Sequence, residues 1–146
     1  MQEQRLTVRL RSYWDMVRKD QPYPDIHRFN TSAIEDIWPF CFRVSINHTR
    51  PPTFTYEYMG EELVKLYGHD LTGLTVSPKM AHFPGSMLHQ RLENLLQLGG
   101  QPMQDNGHLI NFDGKLIRYR ACLLPLGNER NGITHIICGL SCRYFE

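Results

Sequence analysis

The sequence predicts an α+β domain: a five-stranded antiparallel sheet with helices on one face and an extra helix at the N-terminus. Three observations carry this. Strand-like stretches fall into two sets, a pair within residues 41–59 and a trio after residue 103. A leucine-rich helical stretch lies between the sets. Turn residues inside each set suit antiparallel hairpins. One sheet covered by helices would bury the apolar stripes of all these elements.

The N-terminal stretch is amphipathic. Leu6, Leu10, Tyr13, Trp14 and Val17 fall on one helical stripe, and Asp20 and Pro22 end it. A helical turn follows near Ser32–Trp38. There Ser32 and Glu35 match a capping box, Ile34, Ile37 and Trp38 face inward, and Pro39 stops the turn. Cys41–Asn47 and Thr53–Met59 read as paired strands, with Phe54, Tyr56 and Tyr58 on one face of the second. Glu61–Tyr67 reads as a short helix capped by Gly68. His69–Pro78 is irregular. Phe83–Leu98 is the clearest internal helix, with Leu88, Leu92, Leu95 and Leu96 at helical spacing.

The last third is all strand. Met103–Phe112 leads into Asp113-Gly114, a two-residue hairpin signal. Leu116–Leu124 puts Ile117, Tyr119, Ala121 and Leu123 on one face and Arg118 and Arg120 on the other. Gly127–Gly132 is a turn, and Ile133–Phe145 is the final strand.

A chain of 146 residues suits one domain. The order divides it into an N-terminal helical extension, residues 1–39, and a core, residues 40–146. Apolar residues are 41% and charged residues 21%, a globular balance. The net charge of +1 argues against nucleic acid as a partner, because that role needs a dense basic surface. No stretch approaches the roughly 20 apolar residues that span a bilayer. The N-terminus has no apolar signal core, so a cytoplasmic location is the default. Cys41, Cys122, Cys138 and Cys142 form no C-x-x-C pair and read as reduced, mostly packed residues.

Catalytic and metal motifs are weak. There is no H-x-x-x-H, H-E-x-x-H or G-x-S-x-G spacing and no phosphate-binding glycine loop. His69-Asp70 is the nearest enzymatic hint, an adjacent pair of the kind metal-dependent phosphohydrolases use. The long helices that such enzymes need are missing. No metal site is expected.

Four stretches resemble a bacterial family of compact PAS domains that begin with a Tyr-Trp helix. They are Tyr13-Trp14-Asp15, Ile34-Glu35-Asp36-Ile37-Trp38-Pro39, the run from Phe54 to Leu63, and Leu66-Tyr67-Gly68-His69-Asp70-Leu71-Thr72-Gly73. The likeness runs from about Tyr13 to Phe145. It implies a sensory or regulatory module of signal transduction that binds a small ligand, a partner protein or both, and not an enzyme. A ligand-free docking adaptor and a small hydrolase or isomerase on the same sheet are the alternatives. Gly68 and Gly73 let the loop turn, and Asp70 and Thr72 can bond nearby backbone donors.

The resemblance puts any ligand between the sheet and the helices. The walls there are Phe42, Val44, Tyr56, Tyr58, Leu63, Tyr67, His89, Leu92, Tyr119 and Ile137, and the same residues would serve as close-packed core. Some members hold haem through a His on the helix facing the sheet. His82 and His89 stand in that stretch but read equally well as cap and surface residues, so haem is not the expected cofactor. A photoactive flavin needs a reactive Cys in the helical region, and none lies between Gly60 and Gly100. Helices before such a core often pack on a second copy. The stripe of Leu6, Leu10, Tyr13, Trp14 and Val17 is therefore expected to form a homodimer interface.

Overall fold

The computed structural model describes residues 2–77 and 87–144, with side chains from Leu6 onward. Helix α1 spans Gln2–Arg18, and three 3-10 turns follow at Ile26–Arg28, Thr31–Ile34 and Trp38–Phe40. Strands β1 (Cys41–Asn47) and β2 (Thr53–Met59) come next, then α2 (Glu61–Tyr67) and α3 (Leu88–Gln97). Strands β3 (Met103–Ile110), β4 (Leu116–Asn128) and β5 (Gly132–Tyr144) complete the order. The five strands form one antiparallel sheet in the order β2-β1-β5-β4-β3.

Each face of the sheet has its own core. Leu63, Tyr67, Leu88, Leu92 and Leu95 from α2 and α3 pack on the inner face, against Phe42, Val44, Tyr56 and Ile117. On the outer face Leu6, Leu10 and Trp14 of α1 pack against Cys41, Cys122, Leu124, Leu126 and Ile137. Phe29, Ile34 and Ile37 from the turn region join that second core. The fit of α1 depends on Gly139. A Cβ there would lie 2.7 Å from the Leu10 side chain and 3.3 Å from Leu6. Trp14 is 1% exposed, and its indole N–H donates to the Pro125 carbonyl at 2.8 Å.

The expected homodimer stripe is therefore corrected. Leu6, Leu10 and Trp14 are buried on the chain's own sheet, and the half-buried Tyr13 meets Phe29 edge-on at 5.0 Å. Val17 is half-buried near the end of the same helix. The stripe covers an apolar sheet face that the chain itself supplies.

Several boundaries also differ. Asn30, not Ser32, caps the turn at Thr31–Ile34, accepting from the Ser32 N–H at 3.0 Å. Helix α3 begins at Leu88 where Phe83 was expected, and the interval including His82 lies outside the described residues. The hairpin after β3 is longer than two residues. Asn111 organises it, its side-chain oxygen accepting from the Asp113 and Lys115 N–H groups. Its amide donates to the Leu66 carbonyl, tying this turn to α2. Gly127 belongs to β4 and pairs across to β5, which begins at Gly132. Residues 73–76 line the edge of β2, with Tyr56 N–H donating to Leu74 and Val76 N–H donating to Phe54. That covers an edge that would otherwise be open.

Candidate functional site

The inner face between the sheet and α3 is where a ligand was expected. Phe42, Val44, Tyr56, Leu63, Tyr67, Leu92 and Tyr119 all lie in that inner core. Two of the expected wall residues do not. Ile137 faces α1, because β5 directs Ile136, Cys138 and Leu140 inward. Tyr58 is turned outward by a β-bulge. Arg43 pairs with Tyr58 and Val44 with Tyr56, so Glu57 is an extra residue that reverses the alternation. Met59 takes the inward place, and Tyr58 stacks on Trp38 at 4.8 Å. His89 sits at the margin of the inner core. Its ring meets Phe54 edge-on, and Nδ1 lies 3.3 Å from the Glu93 carboxylate.

These side chains meet closely. The cavity bounded by Phe42, Leu88, Asp105, Tyr119, Cys138 and neighbouring apolar residues has a volume of about 20 Å³. That is room for a single water, whereas small-molecule sites run to several hundred Å³. Phe42, on its wall, packs edge to face with Tyr56 at 5.6 Å.

One polar cluster borders this cavity. The Tyr119 hydroxyl donates to Asp105 Oδ2 at 2.8 Å, and Arg91 Nε of α3 lies 3.4 Å from Oδ1. The local sequence explains the reach. Tyr119 pairs with Gly107 across β3 and β4, and a Cβ at Gly107 would press on the phenol at 3.1 Å. Without that side chain the ring crosses β3 diagonally to Asp105. Burial, then the hydrogen bond and charge of Asp105, hold the Tyr119 phenol well above its ordinary range. The cluster thus keeps a neutral hydroxyl against a carboxylate and a guanidinium. Asp105 and Arg91 were not singled out from the sequence. The signal was an acidic residue on the inward alternation of Met103, Asp105, Gly107 and Leu109.

His69 and Asp70 are each engaged in contacts of their own loop and its neighbour. The exposed His69 ring stacks on Phe112 at 5.2 Å. Asp70 Oδ1 accepts from the Thr72 N–H and hydroxyl at 3.0 and 2.7 Å, bonds that lower its carboxyl. These bonds shape the loop. Among the described residues no group of three or more His, Cys, Asp or Glu side chains is placed to hold a metal ion. Among the described residues no helix is long and apolar enough to cross a membrane.

The chain matches no family model and no curated protein. Solved structures do match. The light state of the blue-light photoreceptor Aureochrome1 LOV aligns with a TM-score of 0.53 at 11% identity, over 70% of this chain and 80% of that one. A Cys71Ser mutant of Vivid aligns at 0.56 and 11% identity, over 90% and 98% of the two chains. The fold is PAS-like. At such identity the likeness carries the architecture and not the chemistry. A light-oxygen-voltage domain studied with a flavin analogue also aligns, with a TM-score of 0.52 at 12% identity over 77% of this chain and 84% of that one, which raises the question of a flavin between sheet and helices. The described inner residues do not fit one. The 20 Å³ cavity is more than an order of magnitude below a small-molecule site, and no Cys lies between Gly60 and Gly100.

Proposed function

We propose that this chain is a regulatory module of signal transduction that acts by docking a partner protein, with an interior closed by its own side chains. The carrying observation is the 20 Å³ cavity beneath α3, too small for a flavin or a haem. The PAS-like fold supports a sensory or regulatory role over an enzymatic one, and the dispersal of His69 and Asp70 into loop contacts supports the same choice. With no cofactor to report a signal, the output passes through the surface and through the packing of α1 on the sheet.

A second reading, a sensor of one small polar molecule, draws support from the Tyr119–Asp105–Arg91 cluster. A ligand there would have to replace a hydrogen bond and open α3 from β3. Titration of the purified protein with flavin mononucleotide and with haem, followed by absorbance and tryptophan fluorescence, tests the main reading. No saturable binding is expected. Stoichiometric binding of either cofactor would overturn it.

A further inference from the structure

Strand β1 lies along β5 only as far as Cys41, which pairs with Gly139. Strand β5 runs on to Tyr144, and among the described residues β4 is its one strand neighbour there. The sequence before Cys41 explains the stop. Pro39 has no N–H to give to a ladder, and Trp38–Phe40 closes into a 3-10 turn. The Phe40 N–H donates to the Ile37 carbonyl at 2.9 Å and the Cys41 N–H to the Trp38 carbonyl. The Cys41 carbonyl accepts from the Gly60 N–H at 2.8 Å. Both peptide groups of Cys41 thus point away from β5. By alternation Leu140, and each second residue after it, directs its own toward the side that β1 has left.

A groove of about 530 Å³ lies at this position. Its lining takes Leu140 and Cys142 from the inner side of β5 and Ser141 from the outer side. The groove therefore follows the edge of the strand and not one of its faces. Leu63 and Leu66 of α2 form one wall, Leu6 of α1 the other, and Phe40 stands at the end where β1 begins.

We propose that this groove takes an extended segment of a partner protein as an added strand beside β5, in line with β1. Leu140–Tyr144 offers it an edge of about 16 Å. Apolar walls on both sides call for a segment that is apolar on both faces, as in a fully covered strand. The mouth has an acidic excess, with Glu35, Asp36, Glu61 and Glu62 against Arg9 and Lys65. The matching segment is thus a short apolar run flanked by lysine or arginine. A second copy of this chain is a poor occupant. Strand β3, at the far edge of the sheet, carries Gln104, Asp105, Asn106 and His108, which do not suit apolar walls.

The inference rests on the docking reading above. The flavin and haem titrations test that reading without involving this groove, so the two fail separately. The direct experiment titrates the full chain with a synthetic peptide of alternating valine and isoleucine between paired lysines, followed by amide NMR and hydrogen exchange. Shifts at Leu140–Tyr144, Phe40 and α2 are expected, with exchange along Leu140–Tyr144 slowed about tenfold. The same peptide with a central proline should bind about tenfold more weakly, because it cannot donate to β5. Glu61→Gln/Glu62→Gln should weaken binding about fivefold. No binding, shifts confined to other surfaces, equal binding of the proline peptide or unchanged affinity in the glutamine pair would overturn the proposal. So would the same shifts appearing with protein concentration alone, which would give the groove to a second copy.

Discussion

Replacing Trp14 separates a structural helix from a dimerisation arm. Trp14 is 1% exposed, wedged between α1 and the outer sheet face, with its indole N–H on the Pro125 carbonyl at 2.8 Å. The Arg11 and Arg18 guanidinium groups lie 5.4 and 5.3 Å from its ring, both held by Asp15. Trp14→Ala removes the largest fully buried side chain and leaves a cavity, a change that costs about 3–5 kcal/mol. For a domain of this length that lowers Tm by about 10 °C. Trp14→Phe keeps a ring but orphans the Pro125 carbonyl, a loss of about 1–3 kcal/mol. Urea unfolding followed by far-UV circular dichroism measures both, with sedimentation velocity run alongside. The expected order is wild type, then Phe, then Ala, with the slope in urea unchanged. A Trp14→Ala variant within about 0.5 kcal/mol of wild type, yet altered in oligomeric state, would refute the packing of α1 on its own sheet.

Two further outcomes follow from the two cores. Leu92 is fully buried in α3, so Leu92→Ala should cost about 3 kcal/mol and create an apolar void. The variant should be stabilised by benzene in thermal melts while wild type is not, and equal stabilisation of both would show that the wild-type interior is already open. Alkaline pH should weaken the fold. Burial pushes up the thiols of Cys41, Cys138 and Cys122, the last to about 11, and the phenols of Tyr56, Tyr67 and Tyr119. The folded state favours their neutral forms. Their contribution is therefore complete below the unfolded values, about 8.5 for thiols and about 10 for phenols, and is lost as pH rises from there through the folded values. The urea midpoint should hold to about pH 8.5 and then fall, and a flat or rising midpoint would contradict this burial.

The elements were largely legible from the sequence, and their faces less so. The bounds of β1, β2 and α2 coincide with the expected ones, because alternation, acidic first-turn residues and Gly68 mark them. The side of Tyr58 was not legible. One extra residue at Glu57 reverses the alternation and leaves no compositional mark. Ile137 failed for a different reason. Strand β5 is covered on both faces, so Ile136, Ile137 and Cys138 are all buried and show no period to read. That same feature held the missed clue to α1. The buried run Ala121–Leu126 in β4 is apolar on both faces, which requires a cover on each. An amphipathic stripe alone cannot choose between its own sheet and a second copy. The continuous apolar run and Gly139 supply the choice.

The Tyr119–Asp105 cluster depended on a diagonal contact across β3 and β4, visible only once their register is known. The outward basic side chains of β3, β4 and β5 were half legible. Arg118 and Arg120 share a face by alternation, but Arg143 and His108 join them only through the pairing of three strands.

Native mass spectrometry of freshly purified protein, compared with its denatured mass, tests the closed interior most directly. The account predicts the mass of the bare chain, or a whole multiple of it, with nothing lost on denaturation. A stoichiometric non-covalent adduct of cofactor size that disappears on denaturation would contradict it.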